Sequence, residues 1–137
     1  MFLAAAGRRG LPQASRHFRG NRLFSSVVEL SNLKQWEEFQ EGSAVASVVY
    51  FTASWCGPCR QIAPVFEELS KKEDFDGVDF VKIDVDVNPD AAVTMGIRSV
   101  PTFCFMNQGQ LVERFSGADP TQLAAGLAKI SSNVAEK

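Results

Sequence analysis

The stretch VVYFTASWCGPCRQ, residues 48–61, decides how the chain folds. A β-branched and aromatic run, Ala46 to Ala53, has the composition of a strand buried on both faces, as in the middle of an α/β sheet. It stops at two cysteines, Cys56 and Cys59, with only Gly57 and Pro58 between them. Beyond Cys59 the period changes to helical. Ile62, Val65, Phe66 and Leu69 form one stripe, with Pro64 inside it and expected to kink the helix. The cysteine pair therefore sits where a strand hands over to a helix. Open α/β sheets place their chemistry at such carboxyl ends of strands.

Working outward, Val27 to Leu30 reads as a short strand. Ser31 is placed to cap a helix running to about Gln40, with Leu33, Trp36 and Phe39 on one face. Val78 to Val85 reads as another strand. Asn88-Pro89 is an N-cap followed by proline at the first helical position. Thr102 to Met106 and Leu111 to Phe115 flank Asn107-Gln108-Gly109-Gln110, a hairpin signal. Asp119-Pro120-Thr121-Gln122 is a capping box opening a last helix to about Ser132. The order is β-α-β-α-β-α-β-β-α. Strands separated by helices predict parallel neighbours with right-handed crossovers, and the closing hairpin predicts an antiparallel edge. The fold class is α/β, a mixed central sheet with helices on both faces.

Charge divides the 137 residues in two. Residues 1–28 hold five arginines (Arg8, Arg9, Arg16, Arg19, Arg22) and no acid; the rest holds nine Lys/Arg against all 16 Asp/Glu, a net of −7. The opening Met1-Phe2-Leu3-Ala4-Ala5-Ala6, rich in Arg downstream, has the composition of an organelle presequence. Arg8-Arg9 interrupts the apolar core too early for a secretory signal, and hydroxyl residues are too few for a chloroplast peptide, which stands as the alternative. Arg22-Leu23-Phe24-Ser25-Ser26 resembles a mitochondrial processing site. The expectation is a presequence over 1–24, cut near Phe24–Ser25, and one domain over 25–137 in the mitochondrial matrix. The rival reading of the segment is a disordered basic arm. The acidic remainder offers no electrostatic case for nucleic acid, and no apolar stretch approaches the ~18 residues of a membrane helix.

A C-x-x-C pair serves as metal ligand, structural disulfide or redox centre. Four-coordinate zinc needs two further ligands, and beyond residue 28 only Cys104 remains, since the one histidine is His17. A disulfide closing so short a loop constrains little of the unfolded chain. Redox chemistry fits the local physics best. A helix beginning near Gly57–Pro58 brings free N–H groups and roughly half a positive charge to Cys56. Both favour its thiolate, making Cys56 the attacking sulfur, with Cys59 one turn in as the resolver.

Trp55-Cys56-Gly57-Pro58-Cys59 resembles the active-site signature of the thioredoxin family. Pro64, Val100-Pro101-Thr102 and Gly117 stand where the family has its own, and the likeness covers about Val27 to Ile130. The resemblance implies a thioredoxin fold, a central mixed five-stranded sheet flanked by four helices. It implies reversible dithiol–disulfide exchange without a bound cofactor, and Pro101 in cis facing the cysteines. Trp55 would border the exposed sulfur. Val85, Ser99, Val100, Pro101, Ser116 and Gly117 would meet a substrate peptide. Implied partners are disulfide-containing target proteins, with peroxiredoxins one candidate class, and an NADPH-dependent thioredoxin reductase; the implied state is a monomer.

Tyr50 departs from the pattern. Ordinary thioredoxins hold a buried aspartate there, thought to help remove the resolving cysteine's proton. Tyr50 cannot act as that base, since its reference pKa is ~10 and burial raises it. Its hydroxyl can hydrogen-bond, or the ring can simply fill the strand position. With Tyr50-Phe51-Thr52-Ala53, this substitution resembles the o-type thioredoxins of plant mitochondria. Lys82 matches a family lysine near the missing carboxylate. It could pair with Asp84 or Asp86, or help Cys59 lose its proton. Cys104 reads as a buried small hydrophobe or as a regulatory thiol. Rivals to the reductase reading are an iron–sulfur cluster shared by two chains through Cys56, a redox sensor using Cys56, and a redox-inert interaction module, against which the presence of both cysteines argues.

Overall fold

The computed structural model describes residues 27–42 and 46–135, so the Arg-rich opening segment and its expected cleavage point lie outside the described residues. In chain order the elements are β1 (Val27–Glu29), α1 (Leu33–Glu41), β2 (Ala46–Thr52), α2 (Gly57–Ser70), a 3₁₀ turn (Glu73–Phe75), β3 (Val78–Asp84), α3 (Pro89–Thr94), β4 (Thr102–Asn107), β5 (Gln110–Ser116) and α4 (Pro120–Ala135). β2 is the spine, with all seven residues buried, in keeping with its largely apolar composition.

The strands lie in the order β1-β3-β2-β4-β5. β1 and β2 both run parallel to β3, while β4 is antiparallel to β2 and β5 antiparallel to β4. The expectation that helix-separated strands become parallel neighbours therefore holds only in part. β1 and β2 are separated by β3, and β4, reached through α3, lies antiparallel on the far side of β2. The closing hairpin forms as expected. Asn107 pairs with Gln110, and the two turn residues Gln108 and Gly109 have φ of 53° and 82°, the two positive values of a type I′ turn.

Alternation along β2 sends its residues to two cores. Val48 and Tyr50 pack with Ile62 and Phe66 of α2 and with Leu123, Leu127 and Ile130 of α4. Val49 and Phe51 pack on the opposite face with Trp36 of α1 and with Ala91 and Ala92 of α3. Trp36 anchors α1, but Leu33, expected beside it, is 38% exposed. The α1 cap is Asn32, not Ser31: the Asn32 side chain accepts from the Gln35 N–H, while the Ser31 N–H donates to the Gln35 side chain. Asn88 caps α3 through the Ala91 N–H as read. It also donates from Nδ2 to the carbonyls of Leu30 and Asn32, tying α3 to the β1–α1 connection. At α4 the Gln122 side chain bonds to the Asp119 carboxylate, which also takes the N–H groups of Thr121 and Gln122. α2 runs through Pro64 as one helix. That proline removes the helical donor to the Arg60 carbonyl.

Candidate redox site

The site forms where β2 stops and α2 starts. Cys56 is the N-cap of α2 in extended conformation, and its sulfur accepts from the Cys59 N–H at 3.1 Å. Gly57 opens the helix and Pro58 fills a first-turn position where no N–H donor is needed. Cys56 and Cys59 are joined as a disulfide with their Cα atoms 5.2 Å apart. The helix-terminal donor predicted for Cys56 is thus in place. Cys56 is not an exposed residue, however, at 3% exposure; the side chain that projects is Trp55, at 65%. Its indole N–H donates to Asp86 Oδ2 at 2.9 Å. The next acid back, Asp84, receives the N–H groups of Asp86 and Val87 on Oδ1 and so shapes the loop that carries Asp86.

Opposite the cysteines the Val100–Pro101 bond is cis, as the resemblance implied, and the Val100 carbonyl oxygen lies 3.7 Å from Cys56 Sγ. Thr102, which sequence reasoning placed in the family motif and at the start of a strand without a role of its own, organises this wall. Its hydroxyl donates to the Ser99 carbonyl at 2.7 Å and pairs with the Ser116 hydroxyl at 2.8 Å. Gly117 has φ of 115°, a conformation side chains resist, and donates its N–H to the Pro101 carbonyl. Ser99, Pro101, Ser116 and Gly117 are thereby drawn together. Val85 and Val100 pack at the margins of both cores, and the Val85 N–H donates to the Thr52 carbonyl.

Beneath the disulfide, Tyr50 is 2% exposed. Its ring stacks on Phe103 at 4.9 Å and tilts against Phe66 at 5.0 Å, and its hydroxyl donates to the Cys59 carbonyl at 3.0 Å. Filling and hydrogen bonding, alternatives from sequence, therefore occur together. Burial pushes its pKa up, against a smaller opposing influence of the Thr52 hydroxyl. Lys82 stands beside Tyr50 in the sheet register but forms no ion pair with Asp84 or Asp86 among the described residues. Cys104 lies on the other face of the sheet. It is fully buried, and that burial pushes its thiol up to about 11, opposed by Arg114 across the strand pair.

The thioredoxin family profile matches residues 27–129. The chain belongs to the thioredoxin family. A thioredoxin of Malassezia sympodialis is 41% identical over 106 residues, covering 77% of this chain and all of that protein. Its crystal structure superposes with a TM-score of 0.72 at 40% identity, covering 78% of this chain and 92% of that one. Mitochondrial thioredoxin 3 of Saccharomyces cerevisiae in its oxidised form is 35% identical, with a TM-score of 0.69 over 76% of this chain and 95% of its own. A chain from a structural study of thiol resolution in yeast mitochondrial 1-Cys peroxiredoxin through the glutathione and thioredoxin systems is 34% identical, with a TM-score of 0.69 over 76% and 95%.

Thioredoxin fold and joined cysteines together make this a thiol–disulfide oxidoreductase, a protein-disulfide reductase working through Cys56 and Cys59. With each cysteine already the other's partner, the shared-cluster alternative finds no support. Sequence reasoning named Asp86 only as a candidate partner of Lys82 and Thr102 only within the motif, and missed the roles both take here. A carboxylate thirty-one residues from Trp55 and a hydroxyl opposite Ser116 carry no local signal, because loop geometry and strand register bring them there.

Proposed function

We propose that this thioredoxin reduces protein disulfides in the mitochondrial matrix. Cys56 attacks a target disulfide to form a mixed disulfide, and Cys59 resolves it, releasing the reduced target. The observation that carries these roles is the Cys59 N–H aimed at Cys56 Sγ at the start of α2, a donor that favours the Cys56 thiolate. Trp55, Val85, Ser99, Val100, Pro101, Ser116 and Gly117 form the surface that receives an extended target segment. Ser99 and Ser116 give it a polar side. An NADPH-dependent thioredoxin reductase returns the dithiol, and the protein works as a monomer.

The mitochondrial assignment rests on the acid-free, Arg-rich residues 1–24 and on Tyr50, with its resemblance to the o-type proteins. The similarity to yeast mitochondrial thioredoxin 3 agrees with it. Peroxiredoxins are the target class to try first, given the likeness to a chain studied with a mitochondrial 1-Cys peroxiredoxin. The test is trapping. A Cys59→Ser variant, immobilised and passed over a mitochondrial extract, is expected to hold targets as mixed disulfides on Cys56 that dithiothreitol elutes. Recovery of nothing beyond a Cys56→Ser control would defeat the reading.

A further inference from the structure

Behind the disulfide lies a cavity of about 240 Å³, well beyond what a single water requires. Six ionisable groups face it: Glu29 of β1, Tyr50 of β2, Cys59 and Arg60 of α2, and Lys82 and Asp84 of β3. The sheet register explains the gathering. Glu29 pairs with Lys82 and Lys82 with Tyr50 across parallel strands, so the three stand in one row on the face that carries α2.

When Cys59 attacks a mixed disulfide its thiol must lose a proton, and the choice of acceptor narrows by elimination. Tyr50 spends its own hydroxyl proton on the Cys59 carbonyl and is too weak an acid to act as a carboxylate would. Arg60 donates to the Ser54 carbonyl and is permanently cationic. Lys82 brings donors rather than an acceptor to the cavity. Asp84 has Oδ1 engaged by two backbone N–H groups, which fix it in the loop and leave Oδ2 alone to compete. Glu29 offers both oxygens. It is the exposed last residue of the edge strand β1, and its carboxylate makes no hydrogen bond or ion pair among the described residues.

We propose that Glu29 is the proton acceptor for the resolving thiol, reached from Cys59 through water in this cavity. This rests on the resolving role given to Cys59. The Cys59 thiol gives up its proton, which passes by way of water to the Glu29 carboxylate. The Cys59 sulfur forms its bond to Cys56 Sγ as the bond from Cys56 to the target breaks. The electron pair leaves on the target sulfur as a thiolate. The target disulfide has then gained two electrons in all, and Cys56 and Cys59 have lost them. The Lys82 side chain, facing the same space, brings a positive charge that favours the Cys59 thiolate as it forms.

The experiment is stopped-flow reaction of the fully reduced full-length protein with an aromatic disulfide reagent that liberates a coloured thiolate. Attack by Cys56 releases the first thiolate and resolution by Cys59 the second, so the steps are read separately. Glu29→Gln is expected to leave the first phase unchanged. Around neutral pH it is expected to slow the second about tenfold, below the usual range for a direct general base because the transfer is through water. The gap should close at alkaline pH, above the ordinary thiol pKa of about 8.5, where Cys59 ionises unaided. Glu29→Asp should restore part of the rate. An unchanged second phase in Glu29→Gln overturns the proposal. So does a slowing that persists equally at alkaline pH, or one produced instead by Asp84→Asn. If the wild-type protein releases only the first thiolate, it is the resolving role of Cys59 that fails.

Discussion

Tyr50 shows how one side chain can be kept for structure while its chemistry is given up. It is locked between Phe66 and Phe103 and reaches across to the Cys59 carbonyl, one residue from the Arg60 carbonyl that Pro64 deprives of its helical donor. Tyr50→Phe keeps the ring and removes only that hydrogen bond. The oxidised protein is expected to lose about 0.5–1.5 kcal/mol in a urea titration, the ordinary worth of such a bond. The pH profile of disulfide reduction should not move, because no proton acceptor has been removed. A displaced profile would mean that the phenol takes part in proton transfer. Cys104 makes a second prediction at this scale. Its thiol is held neutral up to about 11 by burial, whereas in the unfolded chain it ionises near 8.5. Between those values the unfolded state binds fewer protons than the folded one, so stability falls as pH rises. The fall is roughly 3–4 kcal/mol at full extent. Oxidised wild type and Cys104→Ala, compared by denaturant titration at neutral and strongly alkaline pH, should differ in this pH dependence, with the variant losing less. In the folded protein at neutral pH, iodoacetamide should leave Cys104 unlabelled.

Among the elements, α4 carries a constraint that no pattern announces. Gly126 sits inside that helix directly over the Phe105 ring of β4, and a methyl group there would run into the ring. In an open helix Gly→Ala gains up to about 1 kcal/mol. Here the overlap outweighs it, and Gly126→Ala is expected to destabilise the domain by about 1–3 kcal/mol. Thermal unfolding of the two proteins decides the sign, and a stabilised variant would show that Phe105 can swing aside at little cost. The example marks the boundary of what sequence conveys. Elements whose cause is local were legible: the buried run of β2, the thiolate-favouring start of α2, the Gln108-Gly109 turn, the caps at Asn88 and Asp119. The cysteines and the cis proline came from a motif. Sheet order did not follow, since placing β3 between β1 and β2 and turning β4 antiparallel depends on pairings between distant residues. For the same reason Thr102, Asp86 and Gly126 look ordinary in sequence and acquire their roles only across the fold.

For the whole molecule the decisive feature is that both cores hang on one strand. Val48 faces α2 and α4; Val49, its neighbour, faces α1 and α3; each is completely buried. The redox site borrows from both layers, since the disulfide rests on the first while Val100, which lines it, packs against both. Neither layer can therefore come loose without stripping one face of β2 and exposing apolar surface on the strand that the other layer needs. A domain of this size so arranged should unfold in a single step. Val48→Ala removes packing from the α2 layer alone and is expected to cost about 2 kcal/mol. Its effect should nonetheless reach Trp36, which is buried in the other layer. In a Trp55→Phe background tryptophan emission reports Trp36 only, as the chain has two tryptophans. Emission and far-UV circular dichroism should then show one midpoint, lowered by roughly 5–10 °C together. Two separated transitions, with Trp36 holding its original midpoint, would mean that the layers unfold independently and that the site can open on the α2 side while the rest stays folded.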